Sequence, residues 1–229
     1  MRVALAIMVK QPTPGRVKTR LCPPLTPKEA TDLYRCFLLD KMAQVRRLAA
    51  AAPYLAFTPR GAESYFRELA GKEFSLIPQQ GEDLGERLNH LSTHLLAVGH
   101  PGVVIIDSDT PSLRDGFLAE AIARMDDSRT EAVFGPAEDG GYYLVGLRRS
   151  VPALFQGITW STPVVLEQTL RTAADAGLRV HLLPSWYDVD TGKDLGRLAR
   201  DLEDDGATAH HTQKFLERIT AGRSQGHRS

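Results

Sequence analysis

Seven short runs of apolar, β-branched or aromatic residues punctuate the chain, at Val3–Met8, Tyr54–Thr58, Phe74–Ile77, Val103–Ile106, Ala132–Phe134, Tyr142–Leu147 and Arg179–Leu183. Each is bounded by Gly, Pro or charged residues, as strands are. Between most of them lie segments of helical length and period. In the first, Leu33, Phe37, Met42, Val45 and Leu48 make an apolar stripe. It follows Thr26-Pro27-Lys28-Glu29, which reads as a helix start with a Thr cap, Pro at the first position and Glu at the third. Further helices are predicted near 61–70, 83–98, 112–125, 162–176, 192–204 and 209–220.

Strands alternating with helices predict an α/β fold with a mainly parallel, mixed sheet covered by helices on both faces. The segment 131–147 breaks the rhythm, because only the Gly-rich turn Ala137–Gly141 separates its two apolar runs. That spacing suits an antiparallel or sharply bent insertion rather than a crossover helix. No internal repeat, low-complexity tract or long linker interrupts the chain. Residues 1–221 therefore read as one domain, and the polar, basic residues 222–229 as a flexible tail.

The 229 residues, 42% of them hydrophobic, suffice for one large domain or at most two small ones. No run approaches the roughly 20 apolar residues of a membrane span, and Val3–Val9 lacks a small-residue cleavage site, so neither a membrane partner nor export is expected. Cys22 and Cys36 show no CxxC spacing, which argues against a disulfide framework or thiolate zinc site and for a reducing cytoplasm. The formal net charge is zero, which speaks against nucleic acid as a partner. That zero is a sum of unlike parts. Residues 1–28 hold Arg2, Lys10, Arg16, Lys18, Arg20 and Lys28 with no acidic residue, giving +6 and leaving −6 for the rest.

Four segments could carry chemistry. The loop Lys10–Arg20 follows the first strand, where an open α/β sheet places ligands. Gly15 permits close backbone approach, and Lys10, Arg16, Lys18 and Arg20, with Thr19 among them, suit a polyphosphate; the alternative is a solvated loop. Its ending differs from the Gly-Lys-Ser/Thr of a Walker loop. Asp107-Ser-Asp109-Thr-Pro111 follows the strand Val103–Ile106, and alternate carboxylates about 7 Å apart can face one hard cation, Mg2+ or Mn2+. Ser108 or Asp109 could instead cap the next helix. Gly135–Tyr143 offers Glu138, Asp139, Gly140 and Gly141 either to a ribose or acceptor or simply to a turn. Tyr187–Leu195 supplies a second alternating pair, Asp188 and Asp190, before a helix start at Thr191 and Asp194. Weaker signals are Arg87 at a helix entry, His90 and His94 on a helix surface, and Trp160, which could line an acceptor pocket or belong to the core.

With these motifs in order, the chain resembles a bacterial family of uncharacterised glycosyltransferase-like proteins of the DUF2064 type, with the GT-A fold. The resemblance runs from about Val3 to Leu198 and rests on residues 9–21, 107–111, 135–143, 158–162 and 188–191. Lys18-Thr-Arg-Leu21 is also similar to the nucleotidyltransferases that attach a guanylyl group to phospholactate or phosphoenolpyruvate, and Asp188–Asp194 to the late motif of molybdenum-cofactor nucleotidyltransferases. These likenesses imply that Asp109 holds a divalent metal, Lys18 and Arg20 hold phosphates, and Asp190 is a second metal position. Asp107 stands where the first family carries a small residue, which makes it the less secure ligand of the set Asp107, Asp109 and Asp190.

Two reactions then compete. Nucleotidyl transfer from a nucleoside triphosphate expels pyrophosphate, whose growing charge a dense Lys/Arg loop stabilises. Glycosyl transfer from a nucleotide sugar expels a diphosphate that a metal can largely cover. The basic loop favours the first, with Lys18, Arg20 and Asp109 as the catalytic residues and a small phosphate, phosphonate or carboxylate as acceptor. A non-catalytic nucleotide-binding regulator is a third reading.

Overall fold

Seven strands, β1 (Val3–Lys10), β2 (Ala51–Thr58), β3 (Ser75–Pro78), β4 (Val103–Ile106), β5 (Ala132–Pro136), β6 (Tyr142–Leu147) and β7 (Val180–Leu182), form one sheet in the order β3-β2-β1-β4-β6-β5-β7. The structure is a computed structural model that describes residues 1–204 and 209–226. β1, β2, β3 and β4 run parallel, β6 runs antiparallel to both β4 and β5, and β7 returns parallel to β5. The hairpin-like insertion expected at 131–147 is therefore β5 and β6. β2 starts three residues before its apolar run. The added stretch contains Pro53, which is accommodated because β2 pairs only with β1 there, its pairing with β3 beginning at Tyr54.

The helices are α1 (Pro27–Arg46), α2 (Glu63–Ala70), α3 (Leu84–Ala97), α4 (Asp115–Asp126), α5 (Val165–Asp175), α6 (Gly192–Asp204) and α7 (His210–Gly226). α1 opens with the predicted reciprocal cap: Glu29 N–H donates to Thr26 Oγ1 (3.2 Å) and Thr26 N–H to Glu29 Oε2 (2.7 Å). α7 continues through Gly226, so five residues of the expected tail are helical and the last three lie outside the described residues. No helix among the described residues is long and apolar enough to cross a membrane.

The residues fall into two compact units, each made of three separate stretches. The sheet unit comprises Met1–Gln11, Val45–Asp107 and Asp115–Asp188, and so holds every strand with α2 to α5. The second unit comprises Pro12–Gln44, Ser108–Arg114 and the stretch from Val189 onward, and so holds most of α1 with α6 and α7.

Within the sheet unit, alternation sorts the side chains. Ala4, Ala6, Val103, Ile105, Phe134 and Val145 pack with Leu88, Leu91 and Leu95 of α3 and Ala173 of α5. The intervening Leu5, Ile7, Val104 and Ile106 are equally buried, so these central strands are apolar on both faces. α4 runs along β1, β4, β5 and β6, and its Met125 lies over Gly146, where a Cβ would meet the sulfur at 3.2 Å. Because β1 lies between β2 and β4, the chain leaves the carboxyl ends of β1 and β4 at the point where strand order reverses, which is where such sheets bind ligands. The basic loop and the Asp109 loop depart from those two ends.

Candidate active site

The basic loop is pinned by two apolar anchors, Val17 and Leu21, which are buried. Around these anchors the backbone turns sharply: before Val17, Arg16 N–H donates to Thr13 C=O (3.0 Å) and Gly15 has φ +73°, and after it Lys18 sits in the left-handed region at φ 48°, ψ 37°, ahead of a single 3-10 turn at Thr19–Leu21. A non-glycine residue held there costs about 1–3 kcal/mol, so the surroundings must hold it. They do so through its side chain. Lys18 Nζ reaches Val189 C=O at 2.8 Å, Asp190 Oδ1 at 2.8 Å and Asp109 Oδ1 at 2.9 Å, which is one acceptor for each of its three protons. Its side chain is 5% exposed, against 38% for Asp109 and 41% for Asp190. Arg20, largely exposed, lies 3.7 Å from Asp190 Oδ2.

Each carboxylate is delivered by a braced loop. Tyr34, Lys41 and Gln44, all on α1, hold the segment after β4: Tyr34 OH bonds Ser108 Oγ (2.9 Å), Lys41 Nζ donates to Thr110 C=O (2.7 Å) and Thr110 Oγ1 (3.1 Å), and Gln44 Nε2 donates to Leu113 C=O (2.5 Å). Lys41 also donates to Gln44 Oε1 (3.1 Å) and is 1% exposed. These bonds keep 110–113 in an irregular turn, which explains why α4 begins at Asp115 rather than near 112. Val189 N–H donates to Asp109 C=O (2.9 Å), tying this loop to the one that bears Asp190. Beyond it Asp194 accepts from Asp190 N–H (3.1 Å), Thr191 N–H (2.6 Å) and Thr191 Oγ1 (2.9 Å), closing the entry to α6. Asp40 does the same for α7, accepting from His211 and Thr212 N–H at 2.9 and 2.8 Å.

Burial pulls the Lys18 pKa down, but the charges of Asp109 and Asp190 outweigh it, and the ammonium is held above its ordinary value. At Asp194 burial pushes up, and the three donated hydrogen bonds more than reverse it, leaving the carboxyl below its ordinary value. Burial first, then Asp107 and Glu120, push the Tyr143 hydroxyl up; Tyr143 OH meanwhile donates to Pro184 C=O (2.9 Å).

Three expectations change. The basic loop was expected to lack acidic neighbours, yet Asp109 and Asp190 supply them from far along the chain. The three carboxylates Asp107, Asp109 and Asp190 are not gathered: among the described residues no group of three or more His, Cys, Asp or Glu is placed to hold a metal. Asp107 and Asp188 belong to the sheet unit, where Asp107 N–H extends the ladder to Tyr143 C=O (3.2 Å). Trp160 packs on the core of that unit, edge to face with Tyr142 at 6.3 Å and against Gly85 of α3. Arg87 is engaged locally, donating to the Gly81 and Glu82 carbonyls.

Lys10, Arg16, Thr19 and Arg20 are exposed, as are Glu138 and Asp139. In the turn, Asp139 Oδ1 accepts from Gly141 N–H (2.9 Å), and Gly140 at φ +92° lies so close to Pro163 that a Cβ would fall 2.1 Å from its carbonyl oxygen. Tyr34, Lys41 and Gln44 were missed by sequence reasoning, although Lys41 falls four residues after Phe37 on the apolar stripe of α1, where a lysine needs a buried partner. For a divalent cation the surviving donors are suitable in kind. Two hard carboxylates, both partly open to solvent, are what Mg2+ takes alongside phosphate oxygens and water.

The family described as an uncharacterized protein conserved in bacteria, DUF2064, matches residues 41–162, more than half of the chain. The chain belongs to that family. The matched span of this DUF2064 protein contains Lys41, Asp109 and the Glu138–Gly141 turn, while Lys18 and Asp190 lie outside it. The DUF2064 chain is 25% identical over 206 residues to the 2-phospho-L-lactate guanylyltransferase of Methanothermobacter thermautotrophicus, covering 88% of this chain and 85% of that one. It is 32% identical, with a TM-score of 0.86, to a candidate nucleotide-diphospho-sugar transferase from Desulfovibrio desulfuricans G20, over 95% of this chain and 98% of that one. A CMP:2-keto-3-deoxy-manno-octonic acid synthetase solved with CTP shares the fold, with a TM-score of 0.57 at 14% identity, over 90% of this chain and all of that one.

Proposed function

We propose that the protein is a metal-dependent nucleotidyltransferase that moves a nucleoside monophosphate from a triphosphate to a small phosphate, phosphonate or carboxylate acceptor and releases pyrophosphate. The observation that carries this reading is the meeting of Lys18 with Asp109 and Asp190, a phosphate-type cation beside two metal-type anions in loops that follow strand ends. The guanylyltransferase relative, matched over most of both chains, supports it.

In the proposed reaction an acceptor oxygen attacks the α-phosphorus while the bond to the bridging oxygen breaks, and the electron pair leaves with pyrophosphate. Lys10, Arg16, Lys18 and Arg20 neutralise the departing phosphates, Gly15 and Thr19 offer backbone and hydroxyl to them, and Asp109 and Asp190 are the residues that would hold Mg2+ or Mn2+. When bound, the divalent cation supplies further neutralisation of phosphate charge and fixes the triphosphate. The exposed Glu138 and Asp139 beside Gly140 and Gly141 are the candidates for ribose or acceptor contact. An anionic acceptor oxygen needs no strong base.

The 32% identical relative favours a second reading, glycosyl transfer from a nucleotide sugar. Incubating the protein with each nucleoside triphosphate, Mg2+ and a panel of anionic acceptors, and assaying pyrophosphate, separates the two. Pyrophosphate release supports nucleotidyl transfer. Hydrolysis of a nucleotide sugar with no triphosphate bound or turned over would replace it with glycosyl transfer.

A further inference from the structure

We infer that Lys18 is the resident cation of this site: without nucleotide its ammonium holds the position between Asp109 and Asp190 that a divalent cation takes, and the arriving phosphates give Lys18 its new partner. The inference rests on the reading above, in which these carboxylates receive the metal and this loop the phosphates.

Four observations lead to it. All three ammonium protons are spent on protein oxygens at 2.8–2.9 Å, two of them carboxylate oxygens, so Lys18 has no proton left for a phosphate in this arrangement. A divalent cation and an ammonium cannot both lie against the same two oxygens, since like charges a few ångström apart repel strongly in a site with 5% lysine exposure. The carboxylates themselves stay partly open to solvent, so a cation can reach them from outside while Lys18 is enclosed. The backbone at Lys18 is held in the left-handed region, and Gly15, three residues earlier, sits at φ +73° with no atom within 4 Å of where a Cβ would stand. Release of the side chain therefore removes the contacts that hold a strained residue, three residues after a glycine whose lack of a Cβ lets the backbone adopt other conformations.

The exchange makes the free protein a poor metal binder and couples metal to nucleotide: each cation entering the carboxylate pair frees a lysine for phosphate, so each ligand favours the other. It also makes an unusual prediction, that removing a positive charge from a basic loop does more than remove repulsion at long range. It opens the seat.

Mn2+ followed by electron paramagnetic resonance is the probe. Without nucleotide, Lys18→Met is expected to bind Mn2+ at least about tenfold more tightly than the unaltered protein, and Lys18→Met with Asp109→Asn to lose that gain. Equal or weaker binding by a folded Lys18→Met overturns the inference. Lys18→Gln carries the same comparison if the Met variant does not fold. In the unaltered protein, acylation of Lys18 read by mass spectrometry should be slow and should accelerate on adding Mn2+ alone; a rate indifferent to Mn2+ overturns it as well. A parallel arm with Mn2+ and a non-hydrolysable nucleoside triphosphate keeps the two ideas apart. Binding there without any gain in Lys18→Met sinks only the exchange, whereas no triphosphate binding in the unaltered protein sinks the nucleotidyltransferase reading.

Discussion

Lys18 and Asp139 both belong to loops that follow strands, yet they find their partners at opposite distances along the chain. Asp139 accepts from Gly141, two residues on, while Lys18 donates to Val189 and Asp190, 171 and 172 residues away. In the first loop the carboxylate is satisfied within its own turn, and the turn's backbone is held in place from elsewhere, Glu138 N–H donating to Trp186 C=O and Gly140 C=O accepting from Leu166 N–H, both at 2.9 Å. The second encloses an ammonium between two carboxylates, an arrangement whose desolvation cost is comparable to its Coulombic gain and which is therefore a weak source of stability. A carboxylate satisfied within its own turn says little about ligands. A charge cluster assembled from distant segments, with little to gain in stability, is the stronger pointer to a working site.

That contrast can be broken. Asp109→Ala has the largest expected effect: it should weaken Mg2+-dependent nucleoside triphosphate binding by more than about 100-fold, read as loss of the nucleotide-induced thermal shift, and unchanged binding would detach the cluster from nucleotide chemistry. Gly140→Ala tests the turn. A Cβ there meets the Pro163 carbonyl at 2.1 Å in a backbone region that side chains avoid, so stability should fall by about 3 kcal/mol and the melting temperature by about 6–12 °C. A small shift would mean that the turn is not held as described.

Lys41→Met sharpens the comparison, because Lys41 bonds Thr110, the residue after Asp109. Loss of its hydrogen bonds should cost about 2 kcal/mol, and the dissociation constant for Mg2+–nucleotide, measured well below the melting temperature, should rise about tenfold. A destabilised variant with unaltered affinity would reduce Lys41 to a packing role. The smallest effect belongs to Asp194. Its folded pKa is lowered, so its cap stabilises fully above the ordinary carboxylate value of 3.8 and the contribution is lost as pH falls through the lower folded value. Asp194→Asn should flatten that acid limb of the stability profile and leave neutral-pH melting only slightly lower.

The elements were legible because period and punctuation are local. The seven strands and seven α-helices of the described residues match the segments read from the sequence, and the insertion of β5 and β6 follows from the shortness of the turn between them. Boundaries failed where a partner decided them: Pro53 is tolerated because one side of β2 is unpaired there, and α4 starts late because Lys41 and Gln44 hold the carbonyls before it. The members of the charge cluster were legible residue by residue, since Lys18, Asp109 and Asp190 each stand in a local motif. Their meeting was not, because no local pattern encodes which loops converge, and so the basic loop looked uncompensated. Lys41 was hidden for a different reason. A lysine on a helix reads as solvated unless its place on the apolar stripe is noticed.

The second unit is threaded from three stretches of chain, and each contributes one member of the cluster: Lys18 from the first, Asp109 from the second, Asp190 from the third. No contiguous fragment short of residues 18–190 can contain all three. The trio is therefore a seal on complete assembly, since it needs the late stretch to return to the early one across 172 residues. A chain interrupted after Asp188 contains every strand of the sheet and lacks the third charge of the cluster.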